Sequence, residues 1–408
     1  GIMYIPTFGP GGTASGAGFS VDTPMVTSLD GGLTPYNTLA NPYPNGIVPA
    51  TGNTLGALAG VGCPITGQLR DTHRGYSQQW NLTLQYQPWN NWLFEGAWVA
   101  NRGTHLILNS RALNILPDAD LALGSSLLDP VNNPFFGTIA SGPLSTPTIT
   151  RKQSRLPYPE FTTVNGGSAY LGDSIYHAFA LKIEKRFSRG FSVLASYTAS
   201  KLLDNLQGTG RPGAVSGTAI QNWNNLRGER SKSYQDVPQR LVLSGLWELP
   251  YKSSNRLLNG AFGGWQLNAI NTMEGGRPIA LAATISNGGN RPNVVAGASD
   301  QVANQTLAKW FNTDAFSQPA PFTFGNVSRT LPDVLSDGMF NIDLSLYKSF
   351  RLRERYSLQF RAESYNLTNT PTFETPGRTL GSATFGVVTA TAFNPQPRQM
   401  QFALKLVF

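Results

Sequence analysis

The 408-residue sequence predicts an all-β protein, an antiparallel transmembrane β-barrel, on three observations: separated segments of alternating apolar and polar residues, connections that are short and long in turn, and aromatic residues gathered beside the short ones. The alternation is plainest at the C-terminus. From Arg398 to Phe408, Met400, Phe402, Leu404, Leu406 and Phe408 share one parity, while Gln399, Gln401, Ala403 and Lys405 share the other. A period of two puts these sets on opposite faces of a strand. The segment also has the roughly 9 to 11 residues that a tilted strand needs to cross a hydrocarbon layer.

The other strands follow in chain order. Residues 1–77 read as loop, because Gly, Pro, Asn, Thr and Ser dominate and no periodicity lasts. Trp80, Leu82, Leu84 and Tyr86 then alternate with Gln79, Asn81, Thr83 and Gln85. After a turn at Asn90 and Asn91, a second strand carries Trp92, Phe94, Gly96, Trp98 and Ala100 on one face and Glu95 on the other. A loop rich in Pro, Ser and Gly is expected from Gly103 to Asp173. It leads to a hairpin with Phe179, Leu181, Ile183 and Phe187 against Lys182, Glu184 and Arg186, a turn at Ser188, Arg189 and Gly190, and then Phe191, Val193, Ala195 and Tyr197 against Ser192, Ser196 and Thr198. In the strand over 238–250, Leu241, Leu243, Trp247 and Leu249 oppose Arg240, Ser244 and Glu248. Its partner starts at Trp265, with Gln266, Asn268 and Thr272 on the polar side. Beyond a loop over 275–339, Phe340, Ile342, Leu344, Leu346 and Phe350 oppose Asn341, Asp343 and Ser345. Tyr356, Leu358, Phe360 and Ala362 then oppose Gln359, Arg361 and Glu363. With the closing strand, the count is about nine strands.

Connections of about 3 to 13 residues alternate with connections of about 30 to 70, which puts all short turns at one end of an antiparallel array and all long loops at the other. Aromatics mark the short end: Tyr86 and Trp92, Phe187 and Phe191, Trp247 and Trp265, Phe350 and Tyr356, and Phe408. Such a girdle suits rings that are half apolar and half wet. Lys185 and Lys348 break the apolar parity, each two residues before such an aromatic, and are expected to snorkel to the headgroups. A soluble β-sandwich also alternates, but its loops need not be long at one end alone.

Composition removes other classes. No run of 18 apolar residues exists, which excludes a helical span. The net charge of +8 comes from 31 scattered Lys and Arg without a run of five, so no nucleic-acid footprint is drawn. Cys63 is the single cysteine, and His73, His105 and His177 lack ligand spacing, so neither disulfide, metal nor cofactor is called for. Residues 1–30 hold no basic region followed by an apolar core, and Gly1 in place of Met reads as the start of a fragment.

The segments WNLTLQYQ with GAWVANRGTHL, YHAFALKIEKRFSRGFSVLASYTASKLLDN, DVPQRLVLSGLWELP, GGWQLNAINTMEGGRPI and FNIDLSLYKSFRLRERYSLQFRAESYNLTNTPTF resemble the Oar-like TonB-dependent receptors of the bacterial outer membrane. The resemblance runs over residues 78–408, in order and spacing, and covers the C-terminal part of that family's barrel. It implies a 22-stranded barrel, an N-terminal plug, a TonB box and coupling to the inner-membrane proton gradient through the TonB complex. On this reading the chain is a partial barrel of about nine C-terminal strands, with short periplasmic turns and long extracellular loops, and residues 1–77 form a further loop. Half a barrel leaves two open edges that lipid cannot satisfy, so a fragment of a larger barrel is expected. Phe408, with Leu406 and Leu404 before it, resembles the C-terminal signal read by the barrel-assembly machinery.

No catalytic constellation emerges. Glu95, Lys182, Glu184, Arg186, Arg240, Glu248, Asp343, Arg361 and Glu363 share the polar parity and are candidates to line a lumen, where they meet plug or cargo or merely pair across strands. GTGRPG at Gly208–Gly213 lacks the Lys and Ser or Thr of a phosphate cradle and reads as outer loop. Asp118 and Asp120 make a lone DxD, weak as a calcium signal. NLT at Asn81 and Asn366 carries little weight as a glycosylation acceptor in a bacterial strand. The expected function is energy-coupled uptake of an unknown substrate across the outer membrane. A structural or adhesive barrel is the alternative, and a small barrel enzyme would need an acidic, His or Ser cluster that the loops do not display.

Overall fold

Nine alternating segments pair into one meander. In this computed structural model the structure describes residues 3–4, 28–44, 58, 60–70, 73–108, 111–139, 142–206, 220–353, 356–392 and 397–408. The chain divides into two compact units, residues 1–73 with 107–170, and residues 74–106 with 171–408.

The first unit is built from short pieces. Pro64–Gln68, inside the stretch expected to be loop, pairs in parallel with Thr163–Gly166, which also pairs with Arg111–Ala112. The ribbon Pro130–Asn132 with Thr148–Thr150 packs Ile149 into a small core with Ile139 and Leu144. Thr150 then caps the helix Arg151–Ser154 by accepting from the Gln153 amide. Strands of three to five residues separated by Gly and Pro leave too little alternation for a period of two to be read.

The main sheet of the second unit runs β1 (Tyr76–Trp89), β2 (Trp92–Leu108), β3 (Ala169–Ser188), β4 (Phe191–Asp204), β5 (Gln239–Glu248), β6 (Trp265–Glu274), β7 (Met339–Arg353), β8 (Tyr356–Tyr365) and β9 (Gln399–Val407). Each is hydrogen-bonded to the next, and β1 and β9 are the sheet's edges among the described residues. Cross-strand register shows why the parity matters. Phe191, Trp247, Leu267, Leu346, Ala362 and Phe402 stand side by side in successive strands, as do Trp265, Lys348, Phe360 and Leu404. Glu248, Gln266, Tyr347, Arg361 and Ala403 make a row on the opposite face. From β4 to β9 the sheet thus has one apolar and one mostly polar side.

The short connections are tight. Arg189 and Gly190 join β3 to β4 with both residues at positive φ (53° and 81°), the two-residue turn whose twist matches the flanking strands. A Cβ on Gly190 would lie 3.4 Å from the Glu248 carbonyl oxygen. Register shifts at Tyr86/Trp89, Phe191/Val193 and Arg351/Arg353 all fall at this end, where bulges bend strand ends. The connection between β5 and β6 contains the helix Arg256–Phe262.

Two expectations are corrected. Strand β2 continues to Leu108 and β3 starts at Ala169, well inside the loop expected from Gly103 to Asp173; Leu106, Ile107 and Leu108 are apolar in succession and Gly172 interrupts the start of β3, so no alternation marks these ends. Lys185 and Lys348 send their ammoniums to the short-turn end, as expected, but onto protein groups. Both are buried, and each ammonium folds back onto the short-turn end. Lys185 Nζ donates to the carbonyls of Ser188 and Phe191, each at 2.8 Å, and lies 3.6 Å from the centre of the Phe191 ring. Lys348 Nζ donates to the carbonyls of Gly260 and Ala261 and approaches the Trp265 and Phe350 rings. Turn carbonyls and aromatic faces within reach hold each cation at this end.

Candidate functional site

The polar face and the long connections are where a water-soluble ligand could meet the second unit. All nine candidate charges stand on the polar face. For Glu95 this follows from its neighbours on β2, since the apolar side carries Trp98 stacked on His177 at 6.0 Å and Gly96 beside Leu181. Most are satisfied locally. Lys182 pairs with Glu184 at 2.9 Å and Arg186 approaches it at 3.9 Å. Arg240 meets Glu274 at 3.7 Å, a partner that parity alone does not single out. Gln85 donates to Glu95 at 2.7 Å, Gln266 to Glu248 at 2.9 Å, and Gln401 to Glu363. Arg361 lies over the Tyr347 ring, 5.5 Å from its centre. Exposed pairs of this kind contribute little to stability, so they line the face without building a reactive site.

Asp343 works differently. Its carboxylate accepts from the Asn341 side chain at 3.0 Å and from the Asn366 amide at 2.9 Å. Asn366 sits at φ 48°, a conformation Asn tolerates, and its side chain bonds the backbone of Thr370 in both senses. The first residue of the NLT motif is therefore the buried hinge that ends β8.

The long connections fold into a cap. Ile279, Leu281, Trp310, Phe311, Phe316 and Val388 belong to one buried cluster that joins the connections over 275–338 and 366–398. Backbone bonds lace the two, from Ala282 to Arg378 and from Trp310 to Gly386. A second joint ties in the connection over 205–238. Arg329, fully buried, donates to the carbonyls of Glu229 (2.9 Å), Leu206 (2.8 Å) and Asp204 (2.8 Å), and pairs with the Asp204 carboxylate. Arg291 pairs with Glu229, whose other oxygen accepts from the Gln221 and Asn222 amides. Burial pulls the Arg291 guanidinium below its ordinary value, and Glu229 opposes that pull. Gly325 is required here, since a Cβ would lie 1.8 Å from the Arg291 carbonyl oxygen.

None of Asp204, Gln221, Glu229, Arg291 and Arg329 stands out in the sequence. They lie far apart in the chain, in segments without periodicity, and only the folded cap brings them together. Of the weaker motifs, Asp120 is held by Arg155 at 2.9 Å, and Gly208–Gly213 lies outside the described residues. Among the described residues no three His, Cys, Asp or Glu side chains converge as a metal site. A shallow concavity lined by Phe191, Val193, Gly245, Trp247, Leu267 and Ala269 lies on the apolar face, where Gly245 and Ala269 leave the sheet thin. Leu404 and Leu406, expected to belong to an assembly signal, stand on the same face, opposite Phe360 and Leu358, and Phe408 is exposed.

Compared with known proteins, the chain matches the protein-family model described as "Outer membrane beta barrel domain" over residues 1–401. Curated proteins give no match. Among solved structures it is similar to the outer membrane transporter YddB from Escherichia coli, with 11% identity and a TM-score of 0.40, covering 85% of this chain and 34% of that one. It is also similar to the ferric-catecholate import receptor Fiu from E. coli (10% identity, TM-score 0.34, 82% and 27% covered) and to the FrpB iron transporter from Neisseria meningitidis (9%, 0.35, 84% and 32%). The chain spans about a third of the length of these structures.

Proposed function

Because the chain belongs to the outer membrane beta barrel domain family and lies in the outer membrane, we propose that it forms part of the wall of a TonB-dependent receptor of the Oar-like kind. The observation that carries this reading is the asymmetry of the sheet's two ends, with short connections at one and a packed cap built from three long connections at the other. In this reading the turns face the periplasm and the cap faces outside, where it captures a substrate. The polar face, with Glu95, Lys182, Glu184, Arg186, Arg240, Glu248, Asp343, Arg361 and Glu363, lines the lumen against a plug. Passage is energised by the TonB complex, and the barrel-assembly machinery reads Leu404, Leu406 and Phe408. The nine strands are then one segment of a larger barrel whose further strands pair with β1 and β9.

One observation favours a second reading. The cap turns its strongest charges inward, onto each other, which suits a rigid surface module of a structural or adhesive barrel. The readings separate in cells. Any solute left in spent medium after deletion of this gene should also be left after loss of TonB, measured by mass spectrometry against wild-type cells. A gene deletion that leaves every solute consumed as before, while abolishing attachment to a surface, would replace uptake by adhesion.

A further inference from the structure

We propose that the turn helix Arg256–Phe262 is a membrane-interface anchor, fastened to the apolar side of the sheet with Leu257, Leu258 and Phe262 set among the phospholipids of the periplasmic leaflet. The proposal rests on the facing given above, with the apolar side toward lipid. Lys348 belongs to the apolar row with Trp265 and Phe360, and its ammonium bonds the carbonyls of Gly260 and Ala261 in the helix's last turn. The Trp265 indole also donates to the Ala261 carbonyl, at 2.9 Å. These bonds place the helix's C-terminal end on the apolar side of the sheet. A cation there meets carbonyls that lack donors within the helix, at the end where the partial negative charge gathers. At the other end the Asn255 side chain accepts from the Leu257 and Leu258 amides, at 2.9 and 3.3 Å. A helix of seven residues is marginal alone, and this one is held at both ends.

What it then presents is apolar. Leu257 is 83% exposed, Leu258 and Phe262 are exposed, and Tyr251 meets Phe262 edge-on at 5.9 Å. Lys252 and Arg256, also exposed, stand beside them. Apolar side chains next to cations, continuous with an apolar wall, fit the boundary between acyl chains and anionic phosphates. The chemistry that recognises this surface is therefore that of a phospholipid monolayer.

The test places the photo-crosslinker p-benzoylphenylalanine at Phe262, Phe402 or Gln401 of the whole protein in its outer membrane, and reads phospholipid adducts by mass. Positions 262 and 402 should carry adducts, with position 401 several-fold lower. Adding Lys348→Met should lower the adduct at 262 several-fold and leave that at 402. Labelling at 402 without 262 overturns the anchor and leaves the facing of the wall intact. Labelling at 401 equal to 402, or at neither, overturns the facing and the anchor with it. Undiminished labelling at 262 in the Lys348→Met protein overturns the fastening.

Discussion

The two ends of the sheet bury charge in different company. In the cap, Arg329 and Arg291 are matched by the carboxylates of Asp204, at the end of β4, and Glu229, both far away in the chain. At the turn end, Lys185 and Lys348 are matched by backbone carbonyls and aromatic rings, Lys185 by those of its own hairpin. A buried ion pair is costly to break because one charge is left behind, whereas a lysine removed from turn carbonyls leaves only neutral acceptors. The cap is therefore a structure that depends on single residues, while each hairpin is closed mainly by its own ladder.

The sharpest way to break the comparison is Arg329→Met. Orphaning the buried Asp204 carboxylate should destabilise the cap by about 3–5 kcal/mol, without comparable damage to the sheet. Amide hydrogen exchange in a detergent-solubilised sample reads both regions at once. Exchange should rise over 220–236 and 277–338 and hold steady in β5 to β8. Adding Asp204→Leu should return part of the loss, since an apolar pair no longer strands a charge. Uniform loosening of sheet and cap would show that the cap is no separate unit of stability.

A somewhat smaller effect tests the two faces of the sheet. Leu344 lies on the apolar side between Phe340 at the loop end and Lys348 at the turn end, and Ser345 lies on the polar side. Leu344→Arg should cost about 2–4 kcal/mol in a bilayer, and Ser345→Arg much less. Denaturant unfolding of the folded barrel in vesicles provides the measurement. Equal losses would refute the assignment of the apolar side to lipid.

The same contrast explains what could be read in advance. The wall was legible because a period of two survives wherever one face is apolar and the other polar, as in Leu241 to Leu249 and Met400 to Phe408. The extensions of β2 and β3 were not, since Leu106 to Leu108 are all apolar and Gly172 interrupts the start of β3, so the alternation fades. Lys185 and Lys348 were visible as breaks in parity, but parity says only which face a side chain takes, and the carbonyls they reach depend on how each turn closes. In the cap, neither Arg329 nor Glu229 belongs to any repeat. Its fold is set by contacts between segments far apart, which local periodicity does not encode.

The mildest test concerns a third buried acid of the cap. Asp236 is almost fully buried, and burial pushes its carboxyl above the usual carboxylate range, against the pull of the Leu202 amide at 2.6 Å and of Lys232 and Lys201. A folded-state value above the unfolded one means that the native cap binds the proton more tightly. The charged form then costs stability at neutral pH, and the cost is relieved as pH falls through the folded value. Asp236→Asn keeps an oxygen to accept from Leu202 and removes the charge. It should raise the cap's thermal midpoint slightly at neutral pH, with the gain shrinking as pH approaches the unfolded carboxylate value of about 3.9. A loss at neutral pH would mean that attraction to Lys232 and Lys201 outweighs burial, and Asp236 would then join Asp204 among the carboxylates that hold the cap by charge.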